Sequence, residues 1–418
     1  MPVRDDDVGT PVHAHGFTFL GHSDQGGRAD GLQVMVGRGH AYVGHMFSSG
    51  FSVIDVRDPR RPTHVAYVPA PPGTWNLHLQ LVDDLLVVVN EADLFANAAF
   101  ARESSYYGSS VGRVMAGLPV DYAAGLRVFD VSDPRHPREV GFMSVPGVGL
   151  HRVFWTGGRW AYASALLPGF TDFVLVTIDM AEPTHPELVG RWWLPGMNYG
   201  AGETPSWDAS RWRYGLHHAV VESDTAYAAW RDGGLTVLDV SDRARPELVV
   251  HRSWSPPYGG GTHSCLPLPD RDLLVVADEG IADHAADGIK RTWVFDVRVP
   301  DNPVSISTFP QPDDDDYVAK GGHFGPHNVH ENRPGSFVSS DLVFMTYENA
   351  GLRAYDLTDA YRPREVGAWV PPPPRTMHDT RPDRPRVVQS ADVFVDADGI
   401  AYVTDYNAGL YLLQYDGA

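Results

Sequence analysis

The sequence predicts an all-β protein, a seven-bladed β-propeller of four-stranded blades in a single domain of 418 residues. Three observations predict it. The chain holds 42 glycines and 34 prolines among short β-branched runs, a composition that disfavours helices and supplies turns. One segment pattern recurs along its whole length. A histidine recurs in phase with that pattern.

The repeat comes first in the argument. Gly50 to Val68 reads GFSVIDVRDPRRPTHVAYV, and Gly125 to Met143 reads GLRVFDVSDPRHPREVGFM. Gly234 to Arg252 (GLTVLDVSDRARPELVVHR) and Gly351 to Trp369 (GLRAYDLTDAYRPREVGAW) follow the same pattern. Weaker copies are Phe173 to Trp192 and Thr292 to Phe309, and a truncated seventh is Gly409 to Tyr415. Pro62, Pro137, Pro186, Pro246, Pro303 and Pro363 mark the same point in successive units, at a pitch of roughly 60 residues. Each copy reads as strand, Asp-Pro turn, strand. Two further strands precede it, as in the hairpins Arg152 to Ser164 and Val393 to Thr404.

Four-stranded units repeated radially make propeller blades, and closing the ring removes exposed sheet edges. The seventh copy ends without an outer strand. Gly16 to Gly21, GFTFLG, matches Val140 to Met143, VGFM, and is expected to complete the last blade from the N-terminus. A linear solenoid would leave both ends open, and no segment reads as a cap.

The pattern GL.V.DVSDP..P..VG resembles the LVIVD-repeat propeller proteins over nearly the whole chain. That resemblance implies the fold and says little about chemistry. More distantly, a histidine-lined propeller resembles the selenium-binding methanethiol oxidases, linked to copper, and the carotenoid cleavage oxygenases. The latter hold iron on four histidines with glutamates behind them. No local motif places the chain in either group.

The innermost strands begin Asn76-Leu77-His78, Gly149-Leu150-His151, Gly215-Leu216-His217-His218, Gly261-Thr262-His263 and Gly325-Pro326-His327. Units two to six thus place a histidine at one point. Unit one offers Gly31 or Ala29 there, and unit seven Gln389 or Ala391. Equivalent points converge on the axis, so His78, His151, His217, His263 and His327 are expected to ring one mouth as metal ligands. In unit four the start motif favours His217 and the following strand favours His218. Two residues on stand Gln80, Val153, Ala219, Cys265 and Val329, read by strand parity as packing at a crowded axis. Neutral imidazoles from different strands suit Zn, Fe, Cu or Ni and leave a coordination position open.

Acidic residues share this phase. The second strands end at Glu91, Glu279, Glu348 and Asp405, while units one and four offer His45 and Trp230-Arg231. Glu279 and Glu348 are the expected catalytic carboxylates, orienting an imidazole or acting as base. Substrate contacts are expected from Glu91, His218, His330, His378 and Asp405. Long segments crowd the same face: Ala92 to Ala124 with Tyr106, Tyr107, Arg113 and Tyr122, then Asn198 to Tyr214, Gln311 to Pro326 and Pro371 to Val387. Such loops build pocket walls.

Composition excludes several classes. A formal charge of -20 repels phosphate backbones, so nucleic acid is not an expected partner. The lone Cys265 excludes disulfide frameworks and Cys₄ zinc sites. No apolar run approaches the roughly 20 residues of a membrane helix, and Met1 to Thr10 lacks the character of a secretory signal, so a cytoplasmic protein without membrane partners is expected. Oligomeric state is open. The expected function is a metal-dependent enzyme with one divalent transition metal on the axis, acting on a small organic substrate. Iron or copper with dioxygen chemistry leads, making the protein an oxidoreductase. Zinc or manganese would make it a hydrolase, lyase or isomerase, and a non-catalytic interaction propeller is the remaining class.

Overall fold

The repeated aspartates are turn-makers. The first of each copy accepts the backbone N–H two residues on: Asp55 from Arg57 (3.2 Å), Asp130 from Ser132 (2.9 Å), Asp179 from Ala181 (2.9 Å), Asp239 from Ser241 (2.8 Å), Asp296 from Arg298 (3.1 Å) and Asp356 from Thr358 (2.8 Å). The second does the same in Asp58, Asp133, Asp242 and Asp359. Each side chain thus stands in for a turn carbonyl and reverses the chain between two strands. The computed structural model describes residues 8–100, 102–107, 110–116 and 121–417. Most of Met1 to Thr10, and parts of the Ala92 to Ala124 insertion, lie outside them.

Each repeat forms an antiparallel sheet whose strands follow in chain order. The first runs Gly31–Gly37, His40–His45, Gly50–Asp55, Thr63–Pro69. In the second, Thr74–Trp75 and Leu79–Val82 share the partner Leu85–Ala92, followed by Gly125–Asp130 and Arg138–Ser144. The third is Gly149–Phe154, Trp160–Leu166, Val174–Asp179, Glu187–Trp192. The fourth, Tyr214–Glu222 to Glu247–Arg252, meets the fifth, Thr262–Leu268 to Val304–Thr308, where Arg231 pairs with Thr262. In unit six the expected first strand at His327 is reduced to one bridge, Val329 to Met345, ahead of Leu342–Thr346, Leu352–Asp356 and Arg364–Val370. In unit seven, Ser390–Val395, Ile400–Asp405 and Gly409–Tyr415 are joined by Phe17–Ser23, whose Phe17 lies opposite Tyr415 and Ser23 opposite Leu410. One pairing was not foreseen: His13–His15 extends the sixth sheet along Arg364–Val370. These are the sheets of a β-propeller.

The core lies between sheets. One apolar cluster joins Val87 and Leu126 of the second unit to Val153 and Tyr162 of the third and Ala226 of the fourth. Another joins Val43 and Val53 of the first unit to Phe394 and Leu412 of the last. The run Asp313 to Asp316 is used internally: Asp314 holds Arg353 and Tyr317, and Asp316 caps the short helix Tyr317–Lys320. Among the described residues no helix is long and apolar enough to cross a membrane.

The glycine in the repeat's VG step has a packing reason. A Cβ on Gly141 would run into the Thr184 carbonyl oxygen, one on Gly190 into that of Arg243, and one on Gly21 into that of Pro59. Each of those carbonyls belongs to a linker turn of another unit, so the bare backbone of an outer strand is the seat for that turn. Gly190→Ala is therefore expected to destabilise the fold by about 2 kcal/mol through overpacking, lowering the urea midpoint. Val304→Ala, at an exposed strand position, should stay within about 0.5 kcal/mol of wild type. Equal midpoints for the two variants would refute the seating role.

Candidate metal centre

The innermost strands share a defect at their start. In unit three Gly149 faces Leu166 while Val153 faces Ala163, four steps against three. The first, fifth and seventh units each carry one extra residue at the same place, and the fourth carries two. Such a bulge breaks the alternation of faces. Its effect, in units three, four and six, is that the histidine and the residue after it both turn to the channel. There and in unit five the parity reading fails: Val153, Ala219, Cys265 and Val329 pack between sheets, and Arg152, His218 and Asn328 face inward instead. In unit two it holds, with Leu79 in the core and Gln80 bonded to Arg333. Burial also pushes the Cys265 thiol up, as suits a packing residue.

All five phased histidines line one cavity, together with Glu279 and Arg231. In the first unit Leu32, rather than Gly31 or Ala29, takes the equivalent place. Trp75, Phe95, Tyr106, Tyr107 and Tyr406 form the aromatic walls, and the two insertion tyrosines act as the sequence suggested. Tyr106 and Tyr107 sit on the short helix Glu103–Tyr107.

The donor atoms fall into two groups, His78 with His151 and His217, and His263 with Glu279 and His327; within each, they lie within 4.8 Å of one another. Their Nδ1 partners assign the tautomers. His151 Nδ1 faces the Glu91 carboxylate at 2.9 Å, and His217 Nδ1 faces the His263 carbonyl at 3.2 Å. Ser264 Oγ spends its proton on the His327 carbonyl (3.3 Å), so it accepts from His263 Nδ1 (2.8 Å). His327 Nδ1 donates to the Ala391 carbonyl. Four imidazoles thus carry the proton on Nδ1 and present an Nε2 lone pair. The His151 and His217 Nε2 atoms face each other at 3.2 Å. Two nitrogens bound to one ion at 2.0–2.1 Å and a tetrahedral angle stand about 3.3 Å apart, so these residues fit a metal.

Electrostatics favours neutral donors. Burial, reinforced by neighbouring imidazoles and the Arg152 and Arg231 charges, holds His78, His217 and His263 well below the usual histidine range. His327 falls to about 4 for the same first reason. Glu279 lies 3.7 Å from His263 Nε2 and 3.6 Å from His327 Nε2. Burial alone would raise its carboxyl, but the paired Arg231 guanidinium keeps it below the usual range.

The remaining predicted residues stand further out. Glu91 is fully buried behind His151, where one oxygen accepts from both His151 and Trp75 Nε1 (2.9 Å). Glu348 faces His323 Nδ1 at 3.1 Å, outside the cavity lining. Asp405 accepts backbone N–H groups of Gln389, Asn407 and Ala408. His218 points the other way, to Glu331 at 2.9 Å. His330 has both nitrogens on backbone, Phe337 O at 2.8 Å and Val395 N at 3.1 Å. His378 accepts from Ala29 N at 3.3 Å beside a separate surface groove. Sequence reading missed the floor of the channel, where Glu331 gathers His218, Arg152 (3.4 Å) and Arg333 (3.5 Å). The signal was the position after each histidine, which a straight-strand parity puts on the wrong face.

Comparison with known proteins supports the fold. The LVIVD repeat matches residues 120–144 and 220–251, on two of the copies read from the sequence. No curated protein matches the chain significantly. The periplasmic gluconolactonase of Pseudomonas aeruginosa is similar in structure, with TM-score 0.54 and 11% identity over 88% of this chain and 93% of that one. The Swd1 β-propeller domain of Myceliophteria thermophila gives 0.52 and 11%, over 93% and 97%. A Lactobacillus plantarum protein gives 0.53 and 12%, over 93% and 95%. At such identities these likenesses carry the fold alone. The chain bears LVIVD repeats in a β-propeller.

Glu348 supplies a pH test. Burial pushes its carboxyl up to about 8 against the pull of His323, and the Glu279 and Asp287 charges push the same way. From about pH 4.3, the ordinary glutamate value, to about 8, the folded protein keeps a proton that the unfolded chain has released. The contribution of Glu348 to stability should therefore fall as pH rises across that window and level off above it. Glu348→Gln should remove that falling contribution, so the metal-free variant should gain stability relative to metal-free wild type between pH 5 and 8, measured by urea unfolding. A slope unchanged from wild type would show that Glu348 is ionised in the fold.

Proposed function

We propose that the protein is a metal-dependent enzyme, with one divalent transition ion on the axis of a single seven-bladed propeller and a small organic substrate beside it. Phe17–Ser23 is read as the outer strand that closes the ring, since it pairs with Gly409–Tyr415 while the last unit packs on the first. One observation carries the metal reading. His151 and His217 hold their Nδ1 protons on acceptors and turn two Nε2 lone pairs on each other at 3.2 Å. Two lone pairs at that distance repel unless a cation lies between them. Burial and positive neighbours make His217 a poor base for a proton there. A metal ion satisfies both nitrogens.

His151 and His217 would hold the ion, with His78 as the third donor of their group and His263 and His327 alongside. The imidazole-dominated donor set suits Fe(II) or Cu, which supply dioxygen binding and oxidation; this supports an oxidoreductase as the leading reading. Glu91 orients His151, as carboxylates behind metal-bound histidines do. The aromatic walls exclude water and hold the apolar part of a substrate. A second reading rests on the carboxylates. With Zn or Mn, water activation or carbonyl polarisation would follow, with Glu279 as base and Glu348 as a proton reservoir, giving a hydrolase, lyase or isomerase.

The test is elemental analysis of untagged protein with an absorption or EPR spectrum of the same sample. About one ion per chain is expected, and its identity separates the two readings. His217→Ala should lower occupancy at least tenfold, whereas His64→Ala, outside the cavity lining, should leave it unchanged. Absence of metal after anaerobic reconstitution, or full occupancy in His217→Ala, overturns the proposal and returns the molecule to a docking propeller.

A further inference from the structure

Arg231 lines the histidine cavity and is not a metal donor. Its side chain is buried, with 8% exposure, and makes one ion pair, to Glu279. Among the described residues Glu279 is the sole acceptor of this guanidinium. One Nη–H edge is therefore engaged, and the donors on Nε and Nη2 are left for another partner. They are absent from the buried atoms that lack a partner, so they reach open space, and the cavity is the space that Arg231 lines. The ring of Tyr107 lies 5.9 Å from the guanidinium carbon.

The backbone is shaped to put it there. Arg231 has φ 49°, left-handed for a residue with a side chain. The strain is held by a tight turn in which Trp230 N bonds Gly234 O (2.8 Å) and Gly234 N bonds Arg231 O (3.3 Å). Unit six uses the same turn to aim Glu348, with φ 44° and the Tyr347–Gly351 pair at 2.7 Å. Strained positions of this kind cluster where a side chain must be presented. Where the second strands of units two, five, six and seven end at or beside acids, unit four ends in a cation.

We infer that Arg231 selects the substrate, and that the substrate is a small monocarboxylate with a flat apolar body. The inference rests on the metal-centre reading for the ion beside it. A planar guanidinium with a free donor edge matches the two oxygens of a carboxylate. One such edge, with the other neutralised by Glu279, suits a single negative charge better than a phosphate dianion. The facing walls, Trp75, Phe95, Tyr106 and Tyr107, offer ring surfaces to a planar body.

Calorimetric titration of holoprotein and of metal-depleted protein with benzoate, benzyl alcohol and acetate tests this. Benzoate should bind at least tenfold more tightly than benzyl alcohol, which lacks the charge, and than acetate, which lacks the ring. Arg231→Lys keeps the charge and loses the fork; it should weaken benzoate at least tenfold at unchanged metal content. Arg231→Met should weaken it further. That variant leaves Glu279 unpaired, so if it does not fold, the lysine variant and the wild-type preference decide. Benzoate bound no better than benzyl alcohol, or bound equally by Arg231→Lys, overturns the inference. Loss of metal from wild type would instead sink the metal centre, and the metal-depleted titration still judges Arg231.

Discussion

The bulge at the start of the innermost strands of units one, three, four, five and seven is the constraint on which the site depends. A regular strand sends alternate side chains to opposite faces, so two adjacent residues cannot both reach the axis. One extra residue against the partner strand removes that limit. His151 and Arg152 then face the channel together, as do His217 and His218, or His327 and Asn328. The repeat multiplies one local defect into two stacked layers. The outer layer is imidazole. The inner layer is polar and charged.

The two layers are coupled through charge. Beneath the histidines, Arg152 donates to Asn328 at 2.8 Å and lies 3.5 Å from His78 Nδ1. Its charge, with that of Arg231, adds to burial in keeping the imidazoles neutral. Neither arginine floats free: Glu331 answers Arg152 and Arg333, and Glu279 answers Arg231. Unpaired buried charges would cost far more than these pairs do. The Glu331 cluster also lines a separate cavity, with Arg152, Arg333 and Asp392 in its wall. A neutral donor set above a floor that carries net positive charge, two guanidiniums against Glu331, keeps its Nε2 lone pairs available without a proton.

Much of this was legible in the sequence because it repeats. The Asp-Pro turns, the strand pitch and the histidine phase are periodic, and periodicity averages out local ambiguity. The Phe17–Ser23 partner of the last strand was visible as a copy of Val140 to Met143. The five histidines and Glu279 were named from phase alone, and they line one cavity. What was hidden is aperiodic. A bulge has no residue signature, so Val153 and Cys265 were aimed at the axis and Arg152 away from it. His13–His15 joins the sixth sheet through backbone pairing that any extended segment can offer. Glu331 and Arg333 come from the irregular segment that follows His327, where the strand is reduced to one bridge. Asp405 read as a site residue because polarity in phase looks functional, and His330 because it stands near the expected loop walls, yet both spend their polar atoms on backbone.

Departures from the repeat are therefore more informative about chemistry than the repeat itself. Second strands ending in Glu91, Glu279 and Glu348 place carboxylates behind or between imidazoles. The same position in unit four carries Arg231 and reverses the sign. A ring of acids alone around neutral imidazoles would favour cations of any kind and repel anionic substrates. One arginine, half-neutralised by Glu279, changes that balance locally without protonating the histidines, because its guanidinium cannot donate its charge away. The fold supplies equivalent positions around an axis, and specificity enters where one unit breaks the equivalence.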